Sequence, residues 1–405
     1  MKQLRIFYAA DHTANPYIPD SKIWYNNLFL PLVDLGHDVV PFQYDLTPHF
    51  LNLDPSNPRH NQFIQENRPK LERELMAQII EAHKEKPIDM FFSYFYSACA
   101  RPEAIRAIAD LGIVTVNWYC NASYQFHLIE ELAPAYDYCL VPEKYRLDDY
   151  LRIGANPIYS QEAANPNIYR PHNIPRDFNV TFVGQKYGER ESYIRYLLDQ
   201  NVDIHVWGLG WSNPEESLLS MDNSSQKRHN NLRSWRVSKG FRKFFKRTKS
   251  LTNSIKKNSL KEIHTPVTNI GRIDKYADRF HPPLPDEELI RIYSRSNISL
   301  GFSTVGNTHL QDSPIKQIRL RDFEAPMSGA FYMVEYMEDL EEFFIPGKEI
   351  VCYHDEQDLT DKIKYYLAHN REREGIRQAG YKRAISEHTW QLRFTNAFRI
   401  MGLIS

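Results

Sequence analysis

Apolar runs alternate along the chain with segments of helical periodicity. Residues 4–10 (LRIFYAA) predict a strand, residues 20–35 a helix that ends at Gly36, and residues 39–44 a second strand. A strand, a helix and another strand at this spacing predict a parallel unit. The pattern continues with helix 69–83, strand 89–96, helix 102–110, strand 113–118, helix 124–132 and strand 138–141.

A passage rich in proline and asparagine, residues 156–176, has no periodicity and predicts a hinge. Farther along, a helix is predicted from Ser313, which caps its first turn, to Ser328, with Pro314 at the first helical position and Gly329 as its stop. The other predicted strands are 179–183, 203–208, 298–302, 330–334 and 349–353, and the other predicted helices are 189–199, 286–295, 359–369, 371–387 and 390–401.

These elements predict an α/β protein with two Rossmann-like, doubly wound domains that face a cleft. A chain of 405 residues with 42% hydrophobic content can bury two cores. The expected division is residues 1–172, residues 173–388 with an insertion at about 212–282, and a C-terminal helix at 389–405 that could cross back to the first domain. Because ligands of open parallel sheets lie beyond the carboxyl ends of the strands, the cleft is the expected site.

Targeting signals and cysteines change this picture little. The sequence has no N-terminal apolar run of signal-peptide shape, and no stretch approaches the ~20 apolar residues of a membrane span. A cytoplasmic location is therefore expected. Cys99, Cys120, Cys139 and Cys352 have no Cys-x-x-Cys spacing, and they predict reduced thiols rather than disulfides or a zinc site.

The insertion carries a basic segment in a chain whose formal net charge is −1. Residues 227–261 hold 13 Lys and Arg and no Asp or Glu, so the rest of the chain is acidic. Residues 237–255 predict an amphipathic helix whose apolar stripe faces away from its cations. Docking on an anionic membrane fits this pattern, and the alternative is a disordered arm or a helix packed on the acidic protein. Nucleic-acid binding is disfavoured because the aromatic residues lie away from the charge. The stripe comprises Val237, Phe241, Phe244, Phe245, Thr248, Leu251 and Ile255.

Several sequence blocks in the second half resemble one family. The blocks are NVTFVGQKYGER (179–190), VWGLGW (206–211), QIRLRDFEAPMSGAF (317–331) and FFIPGKEIVCY (343–353), followed by a long match over residues 362–394. They resemble the CgeB-like (spore-maturation-protein-like) glycosyltransferases, which have the two-lobed GT-B fold. The match in the first half is thinner and includes LVDLGHDVV (32–40) and EAANPNIYRP (162–171).

The resemblance implies transfer of a sugar from a nucleotide-activated donor that binds mainly the C-terminal half. Lys186 and Arg190 follow strand 179–183 in a loop that would face the cleft, where Gly184 lets the backbone come close to a diphosphate. Gly208 ends the next buried strand, where a base could lie against the backbone. The alternative for the two cations is a solvated turn.

In the block 317–331, Glu324 takes the place of the second glutamate of a two-glutamate signature, which holds the ribose in related retaining enzymes. The first glutamate would fall at Lys316, where a lysine cannot accept hydrogen bonds from sugar hydroxyls but could pair with a phosphate. Of Arg319 and Arg321, one is a further candidate for phosphate contact, and the other is equally a candidate structural partner for Glu324 or Asp322. In the predicted helix, Gln317, Arg321, Glu324 and Ser328 share one polar stripe, which is either a solvated edge or part of a cradle for a sugar nucleotide.

The acceptor side of the cleft gives weaker signals. The candidate catalytic residues are Asp11 and His12, which follow the first strand, and Asn121, which follows strand 113–118 at a place where relatives often carry an acidic residue. An asparagine cannot serve as a general base, and a loop hydrogen bond or a helix cap is the common role of such residues.

The sequence therefore predicts a cytoplasmic glycosyltransferase, peripheral on the inner face of a bacterial membrane, that uses a glycan or lipid-linked acceptor in cell-surface polysaccharide synthesis. No cofactor is expected, and since no Asp-x-Asp stands on a plausible cleft loop, no metal dependence is expected either. The alternative is a noncatalytic nucleotide- or glycan-binding protein that kept the fold, for which Lys316 and Asn121 in place of acids are the supporting residues.

Overall fold

The computed structural model describes residues 2–10, 21–212 and 275–405. Within these residues six parallel strands form a first sheet in the order β2-β1-β3-β4-β5-β6. Its inner strands β1, β3 and β4 are almost wholly buried, as expected of a parallel sheet covered by helices on both faces. The strands are β1 (Arg5–Ala9), β2 (Asp38–Pro41), β3 (Met90–Ser93), β4 (Val114–Trp118), β5 (Tyr138–Val141) and β6 (Pro157–Tyr159).

Six further strands of the described chain form a second parallel sheet, in the order β12-β11-β10-β7-β8-β9. We call the described residues up to 159 the N-terminal lobe and residues 178–387 the C-terminal lobe. The strands are β7 (Phe178–Val183), β8 (Ile204–Trp207), β9 (Phe280–His281), β10 (Ser296–Gly301), β11 (Tyr332–Glu335) and β12 (Val351–Tyr353).

Most helices lie where the sequence predicts them, and helix Asp286–Arg295 agrees to the residue. The helix predicted at residues 69–83 is longer and contains Pro69 in its interior. The helix predicted at 20–35 consists of a π-helical turn, Tyr25–Phe29, followed by one short α-helix. The described α-helices are α1 (Leu30–Asp34), α2 (Pro58–Glu85), α3 (Pro102–Ala109), α4 (Ala122–Gln125), α5 (Leu147–Arg152), α6 (Arg190–Asp199), α7 (Asp286–Arg295), α8 (Arg321–Met327), α9 (Glu356–Ala368), α10 (Asn370–Glu387) and α11 (Trp390–Ile400).

The prediction of a helix that begins at Ser313 is wrong. Helix α8 begins only at Arg321, and residues 315–317 run antiparallel to residues 303–305 instead. The Val305 N–H donates to the Ile315 carbonyl at 2.9 Å, and the Gln317 N–H donates to the Ser303 carbonyl at 3.0 Å. The residues after Ser313 therefore do not form the first turn of a helix, and they offer no row of free helix N–H groups to a ligand.

The last helix, α11, packs into the core of the N-terminal lobe. Thr389 caps it by accepting a hydrogen bond from the Leu392 N–H. The Trp390 ring meets Trp118 edge-on at 5.1 Å between ring centroids, and both side chains are fully buried. The chain thus passes between the lobes twice, and the two passages touch where the Trp390 N–H donates to the Ala164 carbonyl.

Three sequence predictions fall outside the described residues: the candidate residues Asp11 and His12, and the basic segment 237–255. Among the helices that the structure describes, none combines the length and the apolar character needed to cross a membrane. The four cysteines all lie in the described part of the chain, where each is buried and free of disulfide bonds.

Candidate functional site

The second sheet reverses its strand order between β7 and β10, and the loops after these two strands pack against each other. Ligands of open parallel sheets bind at such a reversal. Gly188 in the first loop has φ +59°, and a Cβ atom there would lie 2.2 Å from the carbonyl oxygen of Gly306 in the second loop. Gly208 has φ +148°, and a Cβ atom there would lie 2.1 Å from the carbonyl oxygen of Gly184. The predicted site residues Gly184 and Gly208 therefore let the backbone of this region pack closely on itself.

Three arginine side chains meet around the hydroxyl group of Tyr187. Arg190 stacks on the Tyr187 ring, with 3.7 Å from its guanidinium carbon to the ring centroid, and its Nη2 donates to the hydroxyl oxygen at 2.6 Å. The guanidinium carbon of Arg319 lies 5.9 Å from the centroid of the same ring, and Arg319 and Arg321 both act electrostatically on Tyr187. We call Tyr187, Arg190, Arg319 and Arg321 the arginine cluster.

Main-chain carbonyls fix Arg319 in the cluster. Its Nε donates to the carbonyl oxygen of Phe302 at 3.1 Å, and its Nη2 donates to that of Thr304 at 3.2 Å. The Nε of Arg321 donates to the hydroxyl oxygen of Tyr293 at 3.2 Å. Both arginines are thus oriented by groups of the C-terminal lobe that carry no formal charge.

The cluster holds more positive charge than its own acceptors neutralise. Arg190 is only 3% exposed, and burial, reinforced by Arg319 and Arg321, lowers its pKa to about 9 although Tyr187 opposes the shift. Burial acts to raise the pKa of Tyr187, but the three guanidinium groups together lower it. The Nε of Arg190 has no hydrogen-bond partner among the described residues. Guanidinium groups arranged in this way are suited to a multivalent anion such as a diphosphate.

Glu324 lies three residues after Arg321 on α8, and it is buried where the lobes meet. Burial raises its pKa to about 7, against the opposing effects of a hydrogen bond with Tyr169 and the charge of Arg321. Asn27, from the N-terminal lobe, acts on this carboxyl group in the same direction as Tyr169 and donates to the Tyr169 hydroxyl oxygen at 3.1 Å. A carboxyl group with this pKa changes between accepting and donating hydrogen bonds near neutral pH.

The two predicted lysines are paired with carboxylates of their own lobe. Lys186 Nζ lies 2.9 Å from Glu191 Oε2. Lys316 Nζ lies 2.9 Å from Glu335 Oε1 and donates to the carbonyl oxygen of Tyr336 at 2.7 Å. The structure therefore does not bring these lysines into the arginine cluster.

Gln317 and Asn121 lie on opposite sides of the cleft. Gln317 is buried, and its amide hydrogen bonds to the N-terminal lobe at Ser123, Cys120 and Glu143. Asn121 accepts a hydrogen bond from the Tyr124 hydroxyl at 3.3 Å. Burial raises the pKa of Tyr124, and Tyr187 and Arg319 are close enough to act on it as well, so this residue of the loop after β4 lies near the arginine cluster.

Sequence reasoning did not single out Tyr187, Glu143 or Glu162. Tyr187 stands between Lys186 and Gly188 in the loop already chosen, and its position between two glycines was an available signal. Glu143 follows the carboxyl end of β5, and burial raises its pKa to about 8. Burial, together with repulsion from Glu143 and Glu324, raises the pKa of Glu162 well above its ordinary value. No local pattern marks these two buried acids, because their environment is set by contacts between the lobes.

The described residues contain no group of three or more His, Cys, Asp or Glu side chains that is placed to hold a metal ion. The charged groups that do converge at the strand ends are the guanidinium groups of the arginine cluster.

The chain is similar in sequence to one family model and in fold to several solved structures. Residues 247–399 match a family model described as glycosyl transferase-like. No curated protein matches the sequence. Similar solved structures include sucrose-phosphate synthase from Thermosynechococcus elongatus (TM-score 0.57, 14% identity, 100% of each chain covered) and Anabaena HepE in complex with UDP and glucose (TM-score 0.57, 9% identity, 99% of this chain and 100% of that one). A glycosyltransferase from Rickettsia africae gives a TM-score of 0.54 at 10% identity, covering 99% of this chain and 98% of that one.

At these identities the similarity establishes the fold alone. It covers both lobes, and the described residues form two parallel six-stranded sheets with helices, as in the GT-B glycosyltransferases. The predicted fold class is confirmed.

Proposed function

We propose that this chain transfers a sugar from a nucleotide-sugar donor to an acceptor. The observation that carries the proposal is the arginine cluster, which lies at the strand-order reversal of a GT-B fold. The match of residues 247–399 to a glycosyl transferase-like family model supports it, because this range contains Arg319, Arg321 and Glu324.

In this proposal the arginine cluster binds the donor diphosphate. Negative charge increases on the diphosphate as the bond to the sugar breaks, and preorganised cations in a buried site stabilise that charge without reorganising. Glu324 accepts hydrogen bonds from the ribose hydroxyls, and Gly184 and Gly208 shape the floor beneath the nucleotide. Lys186 and Lys316 would reach the diphosphate only by leaving Glu191 and Glu335, so we give them a secondary role.

The acceptor binds from the side of the N-terminal lobe. In this proposal Asn121 acts from the loop after β4, whose Tyr124 lies near the arginine cluster, and Asp11 and His12 act from the residues after β1, at the edge of the first sheet where the parallel strands end. The resemblance to CgeB-like enzymes suggests a glycan or lipid-linked acceptor in cell-surface polysaccharide synthesis. Because the cations of the cluster can neutralise a diphosphate, we propose that turnover needs no metal ion.

The nucleotide is the first feature to test, and UDP is our proposal because the HepE structure contains UDP. We expect one of the UDP-, GDP-, dTDP- and ADP-sugars to raise the Tm by at least a few degrees, and the same compound to be consumed with release of its nucleoside diphosphate. Differential scanning fluorimetry and a nucleoside-diphosphate release assay measure the two effects. Turnover in EDTA should equal turnover in added Mg²⁺.

A noncatalytic binding protein is the second candidate function. Lys316 replaces the glutamate of the family signature and is held by Glu335, so it cannot accept a hydrogen bond from the donor sugar. A protein of this kind would be stabilised by one nucleotide-sugar but would show no turnover with any acceptor extract. The pair of measurements described for the donor therefore distinguishes the two functions.

We further propose that the basic segment 237–255 binds an anionic membrane surface from the cytoplasmic side. Deleting these residues is expected to release the protein from liposomes that contain phosphatidylserine, because each cation near such a surface contributes ~1 kcal/mol. Activity on a soluble acceptor should remain. Cosedimentation with liposomes measures the binding, and neutral phosphatidylcholine liposomes are the control. Equal binding of the deletion variant and the parent would contradict this proposal.

A further inference from the structure

The loop that precedes α8 carries side chains that alternate between the interior of the C-terminal lobe and the cleft. Residues 315–317 are extended and pair with residues 303–305, so successive side chains point to opposite sides. Lys316 points inward to Glu335, and Ile318 is buried in an apolar cluster of the C-terminal lobe. Gln317 and Arg319 lie on the other side, toward the N-terminal lobe and the arginine cluster.

Both the oxygen and the nitrogen of the Gln317 side-chain amide form hydrogen bonds with the N-terminal lobe. Its Oε1 accepts a hydrogen bond from Ser123 Oγ at 3.1 Å. Its Nε2 donates to the carbonyl oxygen of Cys120 at 2.8 Å and to Oε1 of Glu143 at 3.2 Å. The side chain is only 6% exposed, so water does not compete readily for these bonds.

These partners lie at the acceptor side of the cleft. Cys120 and Ser123 flank Asn121 in the loop after β4, and Glu143 follows β5. On the opposite side, Arg319 is two residues from Gln317 in the same loop and is fixed by the carbonyls of Phe302 and Thr304. One amide therefore connects the loop that carries Asn121 to the loop that carries Arg319.

We propose that Gln317 is a positioning residue that holds the loop after β4 and the arginine cluster at a fixed separation. The inference rests on the proposed function, in which the donor binds one side of this gap and the acceptor the other. A transfer reaction requires the acceptor oxygen close to the anomeric carbon, and small displacements of the two reactants are costly. Gln317 acts through Arg319 and the loop after β4, without touching the donor.

Gln317→Met tests the proposal, because methionine has a similar length and cannot make the three hydrogen bonds. Gln161→Met is the matched control: Gln161 is also buried, but its amide bonds lie within its own region, at the Pro142 carbonyl and the Glu162 N–H. Ser123→Ala is a second test variant that removes one bond and leaves the fold of the loop intact.

The first readout needs no ligand. Spin labels at Leu151→Cys on α5 and Lys364→Cys on α9 report the distance between the lobes, and the native cysteines are buried from the label. We expect a single narrow distance distribution for the parent and for Gln161→Met, and a broader one for Gln317→Met and, to a smaller extent, Ser123→Ala. An unchanged distribution in Gln317→Met, with the variant folded by circular dichroism, would overturn the proposal.

The second readout separates positioning from donor binding. Gln317→Met is expected to lower kcat for the nucleotide-sugar about tenfold while the Kd for UDP, measured by calorimetry, stays within about twofold of the parent. A loss of UDP affinity equal to the loss of kcat would instead make Gln317 a donor contact and overturn the positioning role. If UDP does not bind the parent chain, the UDP form of the proposed function fails, while the distance measurement still decides the role of Gln317.

Discussion

Replacing Arg190 by lysine is expected to lower turnover of the nucleotide-sugar by about 10²- to 10³-fold, the cost typical of losing one preorganised donor to a developing negative charge. Lysine keeps a positive charge, but it lacks the planar fork that stacks on Tyr187 and reaches the Gln185 carbonyl at 3.0 Å. Because the charge on the diphosphate increases in the transition state, affinity for the bound donor should fall less than turnover. Steady-state kinetics and calorimetric titration with UDP measure the two effects.

Arg195→Lys is the matched control for this variant. Arg195 lies on the same helix, α6, but it is partly exposed and pairs with Glu191. Exposed ion pairs contribute little, so this change should leave both turnover and Tm nearly unaltered. Since Arg190 is buried, the Tm of Arg190→Lys must also be compared with that of the parent. A folded Arg190→Lys protein with parental turnover would rule out a role for Arg190 in stabilising the departing diphosphate.

Replacing Glu324 by glutamine is expected to weaken nucleotide binding by about 10- to 100-fold at pH 8, because hydrogen bonds to a charged acceptor are worth about 1.5–3 kcal/mol each. Glutamine has the shape of the protonated carboxyl group and a neutral acceptor. Calorimetric titration with UDP across pH 6 to 8.5 measures the effect. Glu338→Gln, an exposed residue in the same lobe, is the control and should bind as the parent does.

The pH dependence gives a second check on Glu324. Its pKa is raised to about 7, mainly by burial, so the acceptor form is lost as pH falls through 7. Parental affinity should therefore fall toward that of Glu324→Gln at pH 6, and the variant should show little dependence on pH in this range. Since the folded protein favours the protonated form, this group stabilises the fold below its unfolded pKa and that contribution is lost as pH rises through about 7. Equal affinity of parent and variant at pH 8 would contradict the assignment to ribose.

The strands could be predicted from sequence because their signal is local. β5 agrees with its prediction to the residue, and the other predicted strands differ from the observed ones by a few residues at their ends. The parallel order followed from helices placed between strands, and both sheets have the doubly wound topology that such spacing favours. Strands β6 and β9 were not predicted. β6 lies in a proline-rich passage, β9 lies at the end of the predicted insertion, and each pairs with one strand at the edge of its sheet.

The loop before α8 shows why part of the site could not be predicted. Ile315 and Ile318 have helical spacing, and Ser313, Pro314 and Gly329 have the residue types of helix ends. The contacts that keep this loop extended come from far along the chain, namely Ser303 at its backbone, Glu335 at Lys316 and the N-terminal lobe at Gln317. A local pattern carries no information about such partners.

The structure brings some of the predicted site residues together and keeps others apart. Residue type and loop position were enough to select Arg190, Arg319 and Arg321, which the structure brings together around Tyr187. The same reasoning selected Lys186 and Lys316, whose side chains the structure pairs with carboxylates of the C-terminal lobe. The assignment of these residues to the donor stays a prediction until a nucleotide complex or the variants are examined.

The position of α11 has a consequence for how the protein forms during translation. Trp390, Phe394 and Phe398 fill the interior beside β3 and β4, so the N-terminal lobe lacks part of its hydrophobic interior until α11 has left the ribosome. Domains generally fold as units in the order in which they are made. Here the N-terminal lobe waits for a helix that is made after the C-terminal lobe, so the C-terminal lobe can mature first.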